Sequence, residues 1–185
     1  MLRHVIIAGA PRSGKTTVSR ELTAFGGYVH YRLDSIKRAV FDIFCPEKKD
    51  WHFASQMTVK IIEKLVDDNN QESTRKEFFI FDTPHLYPKD VAHLDKNDYL
   101  IVFIGYTEIN VDDKIQDILK YDSPTCWTHK LNRDKLKELV EGNIRFSKEI
   151  KAQCQQYGIP YFDVSKDSLF VLNEVKHFIR SNVEN

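Results

Sequence analysis

Apolar residues along the chain follow two spacings that alternate. Apolar runs occur at Leu2–Ala8, with Val5, Ile6 and Ile7 at the centre, at Phe78–Phe81 and at Tyr99–Ile104. A shorter run lies at Ile159–Val164, and an aromatic, β-forming stretch at Tyr28–Leu33. Short runs without polar interruption are the mark of strands buried on both faces, as in parallel sheets. Between them apolar residues recur every three or four positions. Val18, Leu22 and Phe25 form one such stripe, and Ile36, Val40 and Phe44 a second that stops before Pro46. A longer helix is predicted over Trp51–Val66, with Phe53, Met57, Ile61 and Leu65 on its inner face. Further helices are predicted at Asp112–Leu119, at Arg133–Cys154 (Leu136, Leu139, Val140, Ile144, Ile150) and at Leu169–Ile179 (Leu172, Val175, Phe178). Gly26-Gly27, the polar stretch 67–76 and the irregular stretch 121–129 around Pro124 punctuate the pattern. Strands alternating with helices imply an α/β fold in three α/β/α layers, with a parallel sheet of five strands.

Composition narrows the class. A chain of 185 residues suffices for one domain with a substantial core, and no linker or repeat divides it. One domain over 1–185 is expected. Positive and negative side chains balance to zero net charge, which argues against a nucleic-acid surface or an anionic membrane partner. No apolar run is long enough for a membrane span, and the first strand begins too early for a cleaved leader. Cys45, Cys126 and Cys154 are widely spaced, as in reduced thiols used for packing. The expected location is the cytoplasm.

The chemistry is concentrated in Gly9-Ala10-Pro11-Arg12-Ser13-Gly14-Lys15-Thr16, a complete G-x-x-x-x-G-K-[ST] phosphate-binding loop followed by Thr17. Gly9 and Gly14 let the backbone curl so that N–H groups point at phosphate oxygens. Lys15 is expected to reach the β- and γ-phosphates of a nucleoside triphosphate, and the Thr16 hydroxyl to take one position on magnesium. The setting fits: an apolar strand precedes the loop, and a helix follows whose positive end faces the same anion. The expected ligands are ATP and Mg²⁺.

Two carboxylates fall at strand ends, where ligands of such sheets bind. Asp82 closes the run Phe78–Phe81, a Walker B placement that would hold magnesium or orient an acceptor hydroxyl; capping the following Thr83-Pro84 turn is the competing role. Asp34 follows the second strand. It would position a substrate hydroxyl, or serve as a plain helix N-cap. His85, Tyr28 and Tyr31 are candidates to line an acceptor pocket, with core packing the alternative for the tyrosines. Trp127 and His129 stand out by rarity alone.

This arrangement of loop, Asp34 and Asp82 resembles the P-loop small-molecule and nucleoside-monophosphate kinases, a group that includes adenylate, shikimate and gluconate kinases. The resemblance covers nearly the whole chain in element order, although GAPRSGKT is its one strong motif. It implies a P-loop NTPase fold and transfer of the γ-phosphoryl group to a small acceptor. It places the acceptor beside Asp34, where Lys37 and Arg38 stand in place of an arginine at the usual spacing. It puts a lid at about 105–132 and the adenine against the loop Val164-Ser165-Lys166-Asp167. Such lids carry arginines, and this one has none; only Lys114, Lys120 and Lys130 are available. By position, Arg145 or Arg133 on the following helix is the candidate phosphate-contacting cation, and a surface ion pair is the alternative for each.

A GTPase is excluded, since Asp82-Thr83-Pro84-His85 stands where Asp-x-x-Gly is required and no guanine motif is present. A sulfotransferase would share the Ser-Gly loop, but Lys15 after Gly14 suits a triphosphate. The remaining rival is a nucleotide-binding regulatory ATPase module with no small-molecule acceptor. The sequence identifies neither an acceptor nor an oligomeric state.

Overall fold

Five parallel strands form one sheet in the order β2-β3-β1-β4-β5: β1 (His4–Gly9), β2 (Tyr28–Arg32), β3 (Phe78–Pro84), β4 (Tyr99–Gly105) and β5 (Tyr161–Asp163). The structure is a computed structural model that describes residues 2–24, 26–44, 50–71, 77–123 and 126–183, without the side chains of Phe41 and Phe44. Phe25, Cys45, Pro46, Pro124 and the polar stretch 72–76, all used in the sequence reading, lie outside the described residues. The helices are α1 (Lys15–Ala24), α2 (Leu33–Phe44), α3 (Trp51–Gln71), the single turn α4 (Pro88–Val91), α5 (Val111–Tyr121), α6 (Arg133–Tyr157) and α7 (Ser168–Val183). A 3-10 turn, Trp127–Lys130, precedes α6.

The apolar runs divide residue by residue between two cores, because successive strand side chains point to opposite faces. Ile6, Ala8, Phe79, Phe81, Ile101 and Phe103 pack with Val59 and Ile62 of α3 and Ile150 of α6. Val5, Ile7, Ile80, Leu100, Val102 and Ile104 pack on the other face with Val18 of α1 and Val175 and Ile179 of α7. Val5, Ile6 and Ile7 are wholly buried, and withdrawing each from water contributes about 2 kcal/mol. A smaller cluster of Ile115, Ile118, Leu136 and Val140 joins α5 to α6.

Three local expectations differ from the structure. Asp34 is not an N-cap: helical backbone starts one residue earlier, at Leu33, because that side chain is drawn into the core at 1% exposure. The inner face of α3 is also offset. Ala54, Ser55, Thr58, Val59, Ile62 and Val66 are buried, whereas Phe53 is 47% exposed and Ile61 and Leu65 are partly buried. Small residues let α3 approach α4 closely, and Ser55 uses that proximity: its hydroxyl accepts from Tyr87 N at 2.9 Å and donates to Asp90. Finally, Tyr31 packs against Phe79 and Phe81, and Tyr28 donates to the carbonyl of Arg3. Both are framework residues rather than pocket lining.

The strand order positions the site. The connection leaving β1 passes over β3 to reach β2, and the one leaving β3 passes over β1 to reach β4. The two chains diverge to opposite sides at the carboxyl ends of β1 and β3, which opens a crevice there.

Candidate phosphate-binding cleft

The loop after β1 rests on the end of β4. Ala10 N donates to the Ile104 carbonyl at 3.0 Å, and a Cβ on Gly9 (φ +128°) would stand 2.0 Å from that oxygen. No other residue fits there. Gly14 (φ +91°) is confined similarly by the side chain of Leu172 on α7. The Tyr106 hydroxyl donates to the Pro11 carbonyl at 2.9 Å and holds the loop from beneath. Arg12 also takes a positive φ, +62°, which costs an L-residue about 1–2 kcal/mol.

Within this cradle Lys15 is 5% exposed, and its ammonium donates to the Ala10 carbonyl at 2.6 Å. Burial lowers its pKa from 10.5 to about 8, with Lys37 adding to the lowering and Asp82 and Asp34 opposing it. Asp82 and Asp34 compensate the ammonium only in part, and phosphate oxygens would add to them. Ser13 Oγ is buried in the same cradle without a hydrogen-bond partner among the described residues. Thr17, in the first turn of α1, is exposed.

Asp82 lies on the same side of β3 as Ile80, the side facing α1, and its Oδ2 accepts from Thr16 Oγ1 at 2.5 Å. The two side chains expected to hold magnesium are therefore in contact. Burial pushes the Asp82 carboxyl up, but His30, Lys15 and the Thr16 hydroxyl outweigh that effect and hold it below the usual carboxylate range. His30 Nε2 stands 3.7 Å from Asp82 Oδ2, beyond hydrogen-bonding reach, and has no hydrogen-bond partner among the described residues. Its proximity depends on β2 pairing with β3 so that His30 lies opposite Ile80 and Arg32 opposite Asp82. No local sequence signal carries that register, so His30 is a site residue that sequence reasoning missed. Among the described residues no three His, Cys, Asp or Glu side chains converge as a protein-only metal site. One carboxylate and one hydroxyl suit magnesium, which keeps waters and shares phosphate oxygens.

Lys15, Thr16 and Asp82 open into a cleft of about 980 Å³. Its opposite wall is built by the start of α2, by Trp51 and by α6. Asp34 lines it, with Oδ1 3.5 Å from Lys37 Nζ and Oδ2 3.5 Å from Arg38 Nε. Lys37 is buried and donates to the Pro84 carbonyl at 3.1 Å; burial lowers its pKa and Asp34 opposes the lowering. His85, at φ +56°, stacks on Trp51 with ring centroids 4.1 Å apart. Burial pushes its pKa down to about 3, with Lys37 and Lys15 contributing, so it is neutral at physiological pH. Arg145 and Asn143 of α6 reach the same cleft; Asn143 is 3% exposed.

The cleft thus brings together Lys15, Thr16, Asp34, Asp82 and Arg145. It does not include Arg133, which pairs with Asp112 of α5 at 2.8 Å beside a separate groove. His129 is exposed and outside the cleft, whereas Trp127 lines it. The lysines of 105–132 also stay away: Lys114 lies over the Tyr106 ring and pairs with Asp117, and Lys120 lies over Tyr121. Ser165 instead braces the end of β4, accepting from Thr107 N and Glu108 N at 2.9 and 3.0 Å.

No protein-family model matches the chain, and no curated protein matches it. Solved structures do. A shikimate kinase from Bacteroides thetaiotaomicron is similar with a TM-score of 0.61 at 11% identity, covering 100% of both chains. A gluconokinase from Sinorhizobium meliloti gives 0.58 at 11% identity, covering 99% of this chain and 94% of its own. A shikimate kinase from Acinetobacter baumannii in complex with shikimate gives 0.52 at 15%, covering 98% and 95%. Together with the parallel five-stranded sheet, these likenesses show a P-loop kinase-like α/β fold. Among the described residues no helix is long and apolar enough to cross a membrane.

Proposed function

We propose that this chain is an ATP- and magnesium-dependent phosphotransferase that moves the γ-phosphoryl group to a hydroxyl of a small acceptor. The observation that carries the reading is one cleft with two unlike ends. A glycine-set cradle with Lys15 and the Thr16–Asp82 pair occupies one end, and an acid–base and aromatic wall of Asp34, Lys37, Trp51 and His85 faces it. A slow nucleotide switch has no need of the second end. The gluconokinase and shikimate kinases of the same fold support a metabolite acceptor.

In this reading the loop amides and Lys15 hold the transferring group and offset its charge. Thr16 and Asp82 hold Mg²⁺, which when bound neutralises charge on the phosphates. Asp34 accepts a hydrogen bond from the acceptor hydroxyl and orients its oxygen toward the phosphorus. Arg145 adds positive charge from α6. Catalysis then rests on positioning and charge stabilisation within a water-poor cleft. The whole of 1–185 acts as one unit, soluble and cytoplasmic, with no nucleic-acid or membrane partner.

The test is ADP release from ATP and magnesium over a panel of nucleosides, nucleotides, sugars and hydroxy acids. Low basal turnover that rises with one acceptor class is expected, and Lys15→Ala should lower it at least about a hundredfold. Nucleotide binding with no acceptor effect across the panel would instead establish the regulatory ATPase reading.

A further inference from the structure

The cover of the cleft carries no arginine, yet an arginine reaches it from below. Arg12 belongs to the phosphate loop, and its Nη2 forms an ion pair with the carboxylate of Asp122 and donates to the Thr128 hydroxyl and to the Cys126 sulfur. The Asp122 side chain is wholly buried, and Thr128 also donates to it. Three residues of the segment 121–130 therefore converge on one guanidinium. Cys126 of this knot and its neighbour Trp127 line the cleft, as does Arg12 itself. The backbone of Arg12 sits at φ +62°, where glycine would be unstrained. An arginine kept at a position that disfavours it must be held by its side-chain contacts, and those contacts all go to the cover.

We propose that Arg12 is a positioning residue of the phosphotransfer site: it fixes Asp122 and the stretch 126–130 beside the phosphate loop, with Asp122 as its anchor. The usual division of charge is reversed here, the cation coming from the loop and the carboxylate from the cover. A lysine keeps the positive charge, but its ammonium ends one atom short of Nη2, the nitrogen from which all three contacts are made. This inference rests on the nucleotide reading of the loop.

The test combines two readouts on the full chain: the dissociation constant for MgATP by calorimetry, and the rate of iodoacetamide alkylation at Cys126, read from its own peptide by mass spectrometry. Arg12→Gly and Asp122→Asn are each expected to speed alkylation about tenfold and to weaken MgATP about five- to tenfold. The double variant should be no worse than either single one, because both remove the same contact. Arg12→Lys should fall between. Arg12→Gly relieves the backbone, and circular dichroism identifies any variant that fails to fold; Arg12→Lys, which keeps the charge, then carries the comparison. Weakened MgATP binding with unchanged Cys126 alkylation would place Arg12 directly on phosphate and overturn the positioning role, as would additive losses in the double variant. Absence of MgATP binding by the parent protein would overturn the nucleotide reading itself, an outcome distinct from a parent that binds while the variants are unaffected.

Discussion

Replacing Lys15 by methionine should make the ligand-free protein more stable while removing its capacity to bind ATP. In the unfolded chain Lys15 titrates near 10.5, and in the folded chain burial lowers this to about 8. That lowering corresponds to about 3 kcal/mol of strain on the folded ammonium at neutral pH; the attractions to Asp82 and Asp34 are already contained in it. Methionine keeps most of the buried apolar stem but forfeits the charged hydrogen bond to the Ala10 carbonyl, worth about 2 kcal/mol. A net gain of about 1 kcal/mol remains. Its pH dependence has a definite sign. Between about pH 8 and pH 10.5 the unfolded parent holds more protons than the folded one, so parent stability climbs across that window. The advantage of Lys15→Met is therefore full below pH 8 and shrinks as pH approaches 10.5. Urea melts of both proteins at pH 7, 8, 9 and 10 measure this. A variant less stable than the parent at pH 7, or a gap that stays constant from pH 8 to 10, would falsify the argument. MgATP reverses the situation: phosphate oxygens compensate the ammonium, so binding to the parent should take up a proton and weaken as pH rises above 8.

Gly9→Ala should cost about 3 kcal/mol or more, seen as a fall in the thermal midpoint or loss of folded protein, because the new methyl meets the Ile104 carbonyl. Near-parental melting would show that β4 yields easily. Asp82→Asn should lower ATP turnover about a hundredfold and raise the magnesium concentration needed for half-maximal activity; an unaltered magnesium titration of ADP release would remove Asp82 from the metal site. Ser55→Ala nearly keeps the volume but strips the bonds to Tyr87 N and Asp90. About 1–3 kcal/mol should be lost in chemical denaturation, and no change would mean that water replaces the hydroxyl there.

Much of the sheet was legible because burial on both faces leaves an uninterrupted apolar signature, as in Phe78–Phe81 and Tyr99–Ile104. The phosphate loop was legible because its glycines answer a local backbone requirement. Asp82 could be read from the same strand end, since it immediately follows that run. His30 could not, because its approach to Asp82 is created by pairing of β2 with β3. The small-residue face of α3 was hidden for another reason: periodicity weighs large apolar side chains, and Ser55 and Thr58 are buried through hydrogen bonds rather than hydrophobicity. Arg12 was visible only as a variable position of the loop, and its link to Asp122 spans more than a hundred residues of chain.

β1 is the first strand of the chain, yet its two neighbours in the sheet are the third and fourth. During synthesis the entire GAPRSGKT segment emerges before the two strands that flank β1. The Ile104 carbonyl that holds Ala10, and the Asp82 carboxylate that meets Thr16, arrive many tens of residues later. A nascent chain stalled before β4 would hold the complete motif and lack the surface on which it is moulded. If the loop takes a nucleotide as proposed, capture is a late event in folding, and a triphosphate would stabilise only chains whose central three strands have already closed.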